Sequence, residues 1–191
     1  MKTLEHKHFK IYKPYGMLSQ FASNSTQQKR KRFLGELAEF PKGIMPIGRL
    51  DEKSEGLLLL TTDGKMSNYI NSRGIEKEYY ALVDGDISEA QIKALRDGVE
   101  IGFDGKKYQT KPCKAFKLNK NPELPERSKK IRDARHGPIS WISITLTEGK
   151  FRQVRKMTSA VGCATLRLVR VRVGDIHLGD LQIGSVTSIA L

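Results

Sequence analysis

The chain has 191 residues, with 34 Lys plus Arg against 21 Asp plus Glu, a formal net charge of +13, 38% hydrophobic and 29% charged residues, and two cysteines, Cys113 and Cys163. This is enough chain for one domain or two small lobes around a real core, and its composition is not that of a disordered tail. The positive excess points to a polyanionic partner. Two cysteines make no disulfide framework, no apolar stretch follows the basic residues at the start, and residues 57–60 are far short of the ~20 apolar residues a membrane helix needs, so a cytoplasmic protein without signal peptide or membrane span is expected.

Phe9-Lys10-Ile11-Tyr12 reads as a short strand stopped by the turn Lys13-Pro14-Tyr15-Gly16. A polar loop with the basic cluster Lys29-Arg30-Lys31-Arg32 follows, and the spacing of Phe33, Leu34, Leu37 and Phe40 predicts a helix ending before Pro41. Residues 56–62 form a continuous apolar run closed by Asp63-Gly64, a buried strand and turn. A strand is expected over residues 77–84, then a helix opened by the capping box Ser88-Glu89-Ala90-Gln91 and stopped by Gly98. Strand character recurs at residues 99–101 and 108–118, and residues 119–138 read as a long surface loop rich in Pro, Asn, Lys and Arg. Beyond it, Ile142, Ile144 and Leu146 alternate with Trp141, Ser143, Thr145 and Thr147, which predicts a half-buried strand. Residues 152–161 form an amphipathic helix with Val154, Met157 and Val161 inward and Gly162 at its end; residues 166–173 and 185–190 are further strands. Strands interleaved irregularly with short helices predict an α+β fold with a mixed, mainly antiparallel sheet.

Three regions can carry chemistry. In Gly48-Arg49-Leu50-Asp51 an acidic residue sits in a polar loop just before a buried strand, a mounting common to catalytic sites and to plain surface turns. The same window holds Asp51, Glu52, Glu55 and Asp63, so a divalent-metal nuclease is a second reading if they converge. From Gly149 to Arg172 there are seven basic residues (Lys150, Arg152, Arg155, Lys156, Arg167, Arg170, Arg172) and no acidic one. Like charges at helical spacing repel unless an anion compensates, so this face reads as a nucleic-acid contact against the plainer reading of a solvated surface. The loop of residues 119–138 is either an RNA-ordered arm or a linker, and Tyr79 and Tyr80 are either packing residues or base-stacking ones. No metal-ligand spacing links the four histidines and two cysteines, and no nucleotide-binding glycine motif occurs.

These blocks stand in an order that resembles a known family. Lys13-Pro14-Tyr15-Gly16, then Gly48-Arg49-Leu50-Asp51 with Ser54-Glu55-Gly56-Leu57-Leu58, then Lys77-Glu78-Tyr79, then Glu148-Gly149-Lys150-Phe151-Arg152-Gln153-Val154-Arg155-Lys156-Met157 and Leu166-Arg167-Leu168-Val169-Arg170 resemble the RsuA-type ribosomal RNA pseudouridine synthases. The nearest likeness is to the short RluE-like enzymes of large-subunit (23S) rRNA, which lack the extra RNA-binding module that many relatives carry ahead of the Lys-Pro turn. Lys150 and Lys156 stand where relatives often have Arg, which makes phosphate contacts there less bidentate.

The resemblance implies the pseudouridine synthase catalytic fold as a single domain over residues 1–191, two lobes with a basic cleft. It implies isomerisation of a uridine by breaking its bond from uracil nitrogen to the anomeric carbon and rejoining the base through carbon 5. Asp51 is the implied catalytic aspartate, as nucleophile or through a glycal-like route. Tyr79 stacks on the base, Arg155 pairs with the aspartate, and Arg49 holds the opened strand, because the target must leave the stack to be reached. Lys77, Lys150, Arg152, Gln153, Lys156 and Arg170 complete the implied RNA-binding set. No cofactor and no metal are implied, and the partner is large-subunit rRNA or an assembly precursor, bound by a monomer. A catalytically silent RNA-binding or ribosome-assembly factor on the same fold is the alternative.

Overall fold

The computed structural model describes residues 5–28, 30–72, 74–132 and 134–191; Lys29 of the basic cluster and residues 1–4 of the start lie outside them. Among the described residues there are eleven strands and three α-helices. The chain divides into two compact units, residues 1–75 with 176–191, and residues 76–175. The α+β class and the antiparallel character expected from the sequence both hold, since every strand pairing recorded within either unit is antiparallel.

The first unit contains β1 (His8–Lys13), β2 (Met45–Ile47), β3 (Glu55–Thr61), α1 (Gly64–Ser72) and, from the end of the chain, β10 (Ile176–His177) and β11 (Val186–Ser188). β1 pairs with β11 and with β3, and β2 pairs with β3, Met45 opposite Thr61 and Ile47 opposite Leu59. All seven residues of β3 are buried, which is why its sequence shows a continuous apolar run instead of alternation. The helix expected over residues 33–40 is absent. Only a 3-10 turn, Leu34–Glu36, forms there, closed by Glu36 N–H to the Phe33 carbonyl and Leu37 N–H to the Leu34 carbonyl. Gly35 weakens any helix at that point, and the apolar residues pack separately: Leu34 is buried, while the part-buried Phe40 lies edge-on to Phe9 (5.9 Å) and Phe21 (5.3 Å). The helix α1 is not expected from the sequence pattern. Its start is marked by Asp63, whose Oδ1 accepts the Lys65 N–H at 2.8 Å, a capping signal legible in the sequence.

The second unit contains β4 (Lys77–Asp84), α2 (Glu89–Asp97), β5 (Glu100–Phe103), β6 (Lys106–Gln109), β7 (Lys114–Lys117), β8 (Ile139–Leu146), α3 (Gln153–Ala160) and β9 (Thr165–Val173). Its sheet runs β9–β4–β8–β7, and β5 and β6 form a separate hairpin. α2 is capped as expected, Ser88 Oγ accepting the Gln91 N–H while Gln91 Oε1 accepts the Ser88 N–H, and it stops at Gly98, whose φ of +95° suits a residue without Cβ. α2 and α3 cover the core of Ala81, Val83, Ile92, Leu95, Ile142, Ile144, Val154, Met157 and Leu168.

Two strand expectations change. The stretch of residues 108–118 is two strands with different partners: β6 returns against β5 through Asp104 and Gly105, both at positive φ, and β7 pairs with β8. β8 is not half-buried: Ser143 and Thr145 are buried too, Ser143 donating to Glu78 Oε1 at 2.9 Å. A strand between two others satisfies its polar side chains sideways and needs no water on that face.

Candidate active site

In the first unit, Asp51 sits in the loop of residues 48–54 that joins β2 to β3, and backbone contacts hold both of its neighbours. On one side, the Ser19 hydroxyl donates to the Leu50 carbonyl at 2.7 Å and accepts the Leu50 N–H at 3.0 Å. On the other side, the Glu52 carbonyl accepts the Gly16 N–H at 2.8 Å and lies 3.5 Å from the Lys13 ammonium. Lys13 is wholly buried, and the same ammonium donates to the carbonyls of Pro14 (2.9 Å) and Met17 (2.6 Å). The Asp51 carbonyl accepts the Ser54 N–H at 3.0 Å, closing a tight turn. The Lys-Pro-Tyr-Gly block is therefore the base that fixes the loop, with carbonyls among the partners of its buried charge. Asp51 itself is part-exposed and Arg49 is exposed.

The carboxylates grouped in the sequence do not act as one cluster. Glu52 pairs with Lys31 at 2.8 Å, Glu55 is buried at the start of β3, and Asp63 caps α1. Burial works against the Asp63 charge, but the amides of Lys65 and Met66 and the nearby His6 and His8 outweigh it and hold the carboxyl below its ordinary value. Among the described residues no group of three or more His, Cys, Asp or Glu is placed to hold a metal ion.

The second unit carries the other expected residues in two groups. On β4, Tyr79 lies opposite Arg170 of β9 and packs, partly buried, against the unit's core. The β4–β9 register shifts between Glu78 and Tyr79, an irregularity of the kind that re-aims a side chain. Burial first, and then the charge of Arg170, hold the Lys77 ammonium below the usual lysine range. Arg170, a member of the expected RNA-binding set, is only 3% exposed. Its β9 neighbours have partners within the same unit. Arg167 is buried, with a donor on the Pro125 carbonyl at 2.8 Å, and Arg172 forms ion pairs with Glu76 and Glu78 at 3.0 Å each. Arg167 and Arg172 are thus held by partners of the protein itself, and periodicity along β9 cannot reveal partners so distant in sequence.

Around the start of α3, Gln153 is buried and joins the turn of residues 149–152 to its surroundings. Its Oε1 accepts the Lys150 N–H at 2.9 Å and its amide donates to Glu148. Burial raises the Glu148 carboxyl, but donors from Tyr108, the Lys111 backbone and Gln153 prevail and lower it. Arg155 is half-buried, with Nη1 3.3 Å from the Thr165 carbonyl, and Lys156 donates to the Gly102 carbonyl at 2.7 Å. Of Arg152, Arg155 and Lys156, the basic residues at the start of α3, Arg152 is the exposed one. It begins the helix with φ +54°, ψ +33°, a left-handed conformation that costs an Arg of order 1 kcal/mol and is retained where surroundings enforce it.

The long loop runs irregularly over the described part of residues 119–138 apart from a 3-10 turn, Ala134–His136; Asp133 lies outside the described residues. It is tied down by Arg132 to Asp84 and by the Pro138 carbonyl to Gly85 N–H. Tyr80, on the face of β4 opposite Tyr79, lines an open cavity of about 420 Å³ with Leu118, Lys120 and Pro122. Sequence reading did not single out Ser19, whose partner is 31 residues away, nor Phe103 and Tyr108 beside α3.

Comparison with known proteins adds the following. A family model described as RNA pseudouridylate synthase matches residues 7–160. The chain is 43% identical over 178 residues to a protein of Xanthomonas campestris pv. campestris named ribosomal large subunit pseudouridine synthase E, covering 91% of this chain and 90% of that one. A protein of the same name from Vibrio parahaemolyticus is 38% identical over 181 residues, 94% of this chain and 72% of the relative. A solved structure titled as a crystal structure of pseudouridylate synthase matches with a TM-score of 0.75 and 25% identity, covering all of this chain and 73% of that one.

Proposed function

The chain belongs to the RNA pseudouridylate synthase family, and we propose that it isomerises one uridine of large-subunit ribosomal RNA to pseudouridine. The observation that carries the substrate is the 43% identity, over nine-tenths of both chains, to a protein named for that activity. The net charge of +13 agrees with a polyphosphate partner.

Asp51 is the catalytic carboxylate in this reading. Its clamped loop supports the role, because a group that acts on one carbon of a flipped nucleotide needs fixed geometry before substrate arrives. The uracil N1–C1′ bond breaks, with the carboxylate either bonding to C1′ as nucleophile or assisting departure of the uracilate through a glycal-like route. The base turns and C5 bonds to C1′, with any carboxylate–C1′ bond breaking in that step. The C5 proton is lost while N1 of the product gains one. Tyr79 stacks on the target uracil, and Arg155 supplies the positive charge that favours an ionised carboxylate. Arg49, Lys77, Lys150, Arg152, Gln153, Lys156 and Arg170 hold or orient the RNA, Gln153 by fixing the turn, Lys77 from a part-buried place on β4 and Arg170 from its buried place on β9. The protein works as a monomer in the cytoplasm on rRNA or an assembly precursor, with residues 1–191 as one catalytic domain.

The experiment is pseudouridine mapping of rRNA by carbodiimide and reverse transcription in a strain lacking the gene. One large-subunit position is expected to lose its modification and to regain it from a wild-type copy but not from Asp51→Asn. An unchanged large-subunit map, or a loss confined to other RNA, refutes the assignment.

A further inference from the structure

The turn before α3 presents an aromatic ring that the chemistry at Asp51 does not use. Phe151 is 66% exposed. The chain holds it there firmly: Gln153 N–H donates to the Lys150 carbonyl at 3.1 Å, Lys150 N–H donates to Gln153 Oε1 at 2.9 Å, and Arg152 follows in its enforced left-handed conformation. Leaving a phenyl ring in water forgoes the free energy that burial would release, so a rigid turn that points one outward is set up for a partner.

The surroundings say which partner. The Lys156 ammonium lies 5.4 Å from the Phe151 ring centre and 5.7 Å from that of Phe103. Lys150 lies 5.1 Å from Phe103 and 4.9 Å from Tyr108, and those two rings meet edge-on at 6.0 Å. Arg152 is exposed beside Phe151, and Lys106 and Lys107 are exposed on the same β5–β6 hairpin as Phe103 and Tyr108, Lys107 pairing with Glu100 at 2.9 Å. Rings interleaved with cations fit unpaired nucleic acid, because a base offers a π-face to the ring while its phosphates meet the ammonium groups. An apolar protein surface does not match so dense a cationic rim.

We propose that Phe151, flanked by Lys150, Arg152 and Lys156, is a stacking platform for an unpaired RNA nucleotide other than the one isomerised. This rests on the reading of the protein as an RNA-modifying enzyme and adds a specificity element to it: the substrate is single-stranded on the side that meets α3.

The test is fluorescence anisotropy with a labelled 12-nucleotide single-stranded RNA of mixed sequence, alongside the same sequence as a duplex, at several salt concentrations. Phe151→Ala is expected to weaken single-strand binding about tenfold, the scale of one lost base–aromatic stack. Its salt dependence should match the wild type, since no charge is removed, and Phe151→Trp should restore the affinity. Binding to the duplex, whose bases are already stacked, should not respond. Equal single-strand affinity for Phe151→Ala and wild type, or a Trp variant no better than Ala, overturns the platform and leaves the RNA reading standing. A wild type that binds neither RNA at low salt overturns both. Circular dichroism of Phe151→Ala should match the wild type, as expected for a side chain so exposed.

Discussion

Asp51 lies between two residues whose backbone groups are held by other parts of the chain. The Ser19 hydroxyl is both donor and acceptor to Leu50, so Ser19→Ala releases two backbone groups at once. The expected stability loss is about 1 kcal/mol, readable as a shift in the urea midpoint. Turnover should fall much more steeply than that, because a displaced carboxylate loses reaction geometry. Single-turnover assays at saturating RNA measure it, and unchanged turnover would remove Ser19 from the positioning of Asp51. Lys13 plays a heavier structural part. Lys13→Met takes the buried donor from the carbonyls of Pro14, Met17 and Glu52. A cost of at least about 2 kcal/mol is expected for acceptors left unsatisfied in the interior, checked by urea unfolding of the two proteins.

At the scale of elements, what repeats locally was legible and what depends on distant partners was not. The capping box of α2, the run of β3 and the extent of β4 follow from neighbouring residues, and each appears where the sequence predicts it. The helix expected over residues 33–40 fails because its apolar spacing serves separate tertiary contacts. The β5–β6 hairpin was missed although Asp104-Gly105 is a strong turn signal, since its flanking strands have little apolar alternation. Among the candidate residues, motif order could single out Asp51 and Tyr79, but the pairing of Arg172 with Glu76 and Glu78 joins residues 96 and 94 positions apart. Gly98 tests the junction between α2 and the hairpin. A Cβ there stands 2.3 Å from the Thr110 carbonyl oxygen, at a φ of +95° that L residues rarely adopt. Gly98→Ala should therefore destabilise by more than about 1 kcal/mol, seen as a lower melting temperature; an unaltered one would contradict the geometry around Thr110.

For the whole molecule, acid is expected to be more damaging than the basic composition suggests. Glu76 is held below its ordinary 4.5 by Lys114 and Arg172, and Glu148 is lowered by Tyr108, Lys111 and Gln153 against the opposing pull of burial. A carboxyl whose folded pKa is depressed binds its proton more readily when unfolded, so its contribution is present above the ordinary carboxylate range and lost as pH falls through the lowered value. The urea midpoint should drop as pH is taken from about 6 towards about 3, and Glu76→Gln should flatten part of that slope. On the alkaline side, burial pushes the Cys113 thiol from 9.0 up to about 11, so this group's share of stability is lost as pH rises through that interval. The account as a whole stands on chemistry at Asp51, and the most direct measurement uses purified wild type and Asp51→Asn on unmodified large-subunit rRNA, with pseudouridine mapped by carbodiimide and reverse transcription. The wild type should modify one position with no added metal and in the presence of EDTA, while Asp51→Asn binds the RNA with similar affinity and forms no pseudouridine. Pseudouridine made by Asp51→Asn, or a wild type silenced by EDTA, would contradict it.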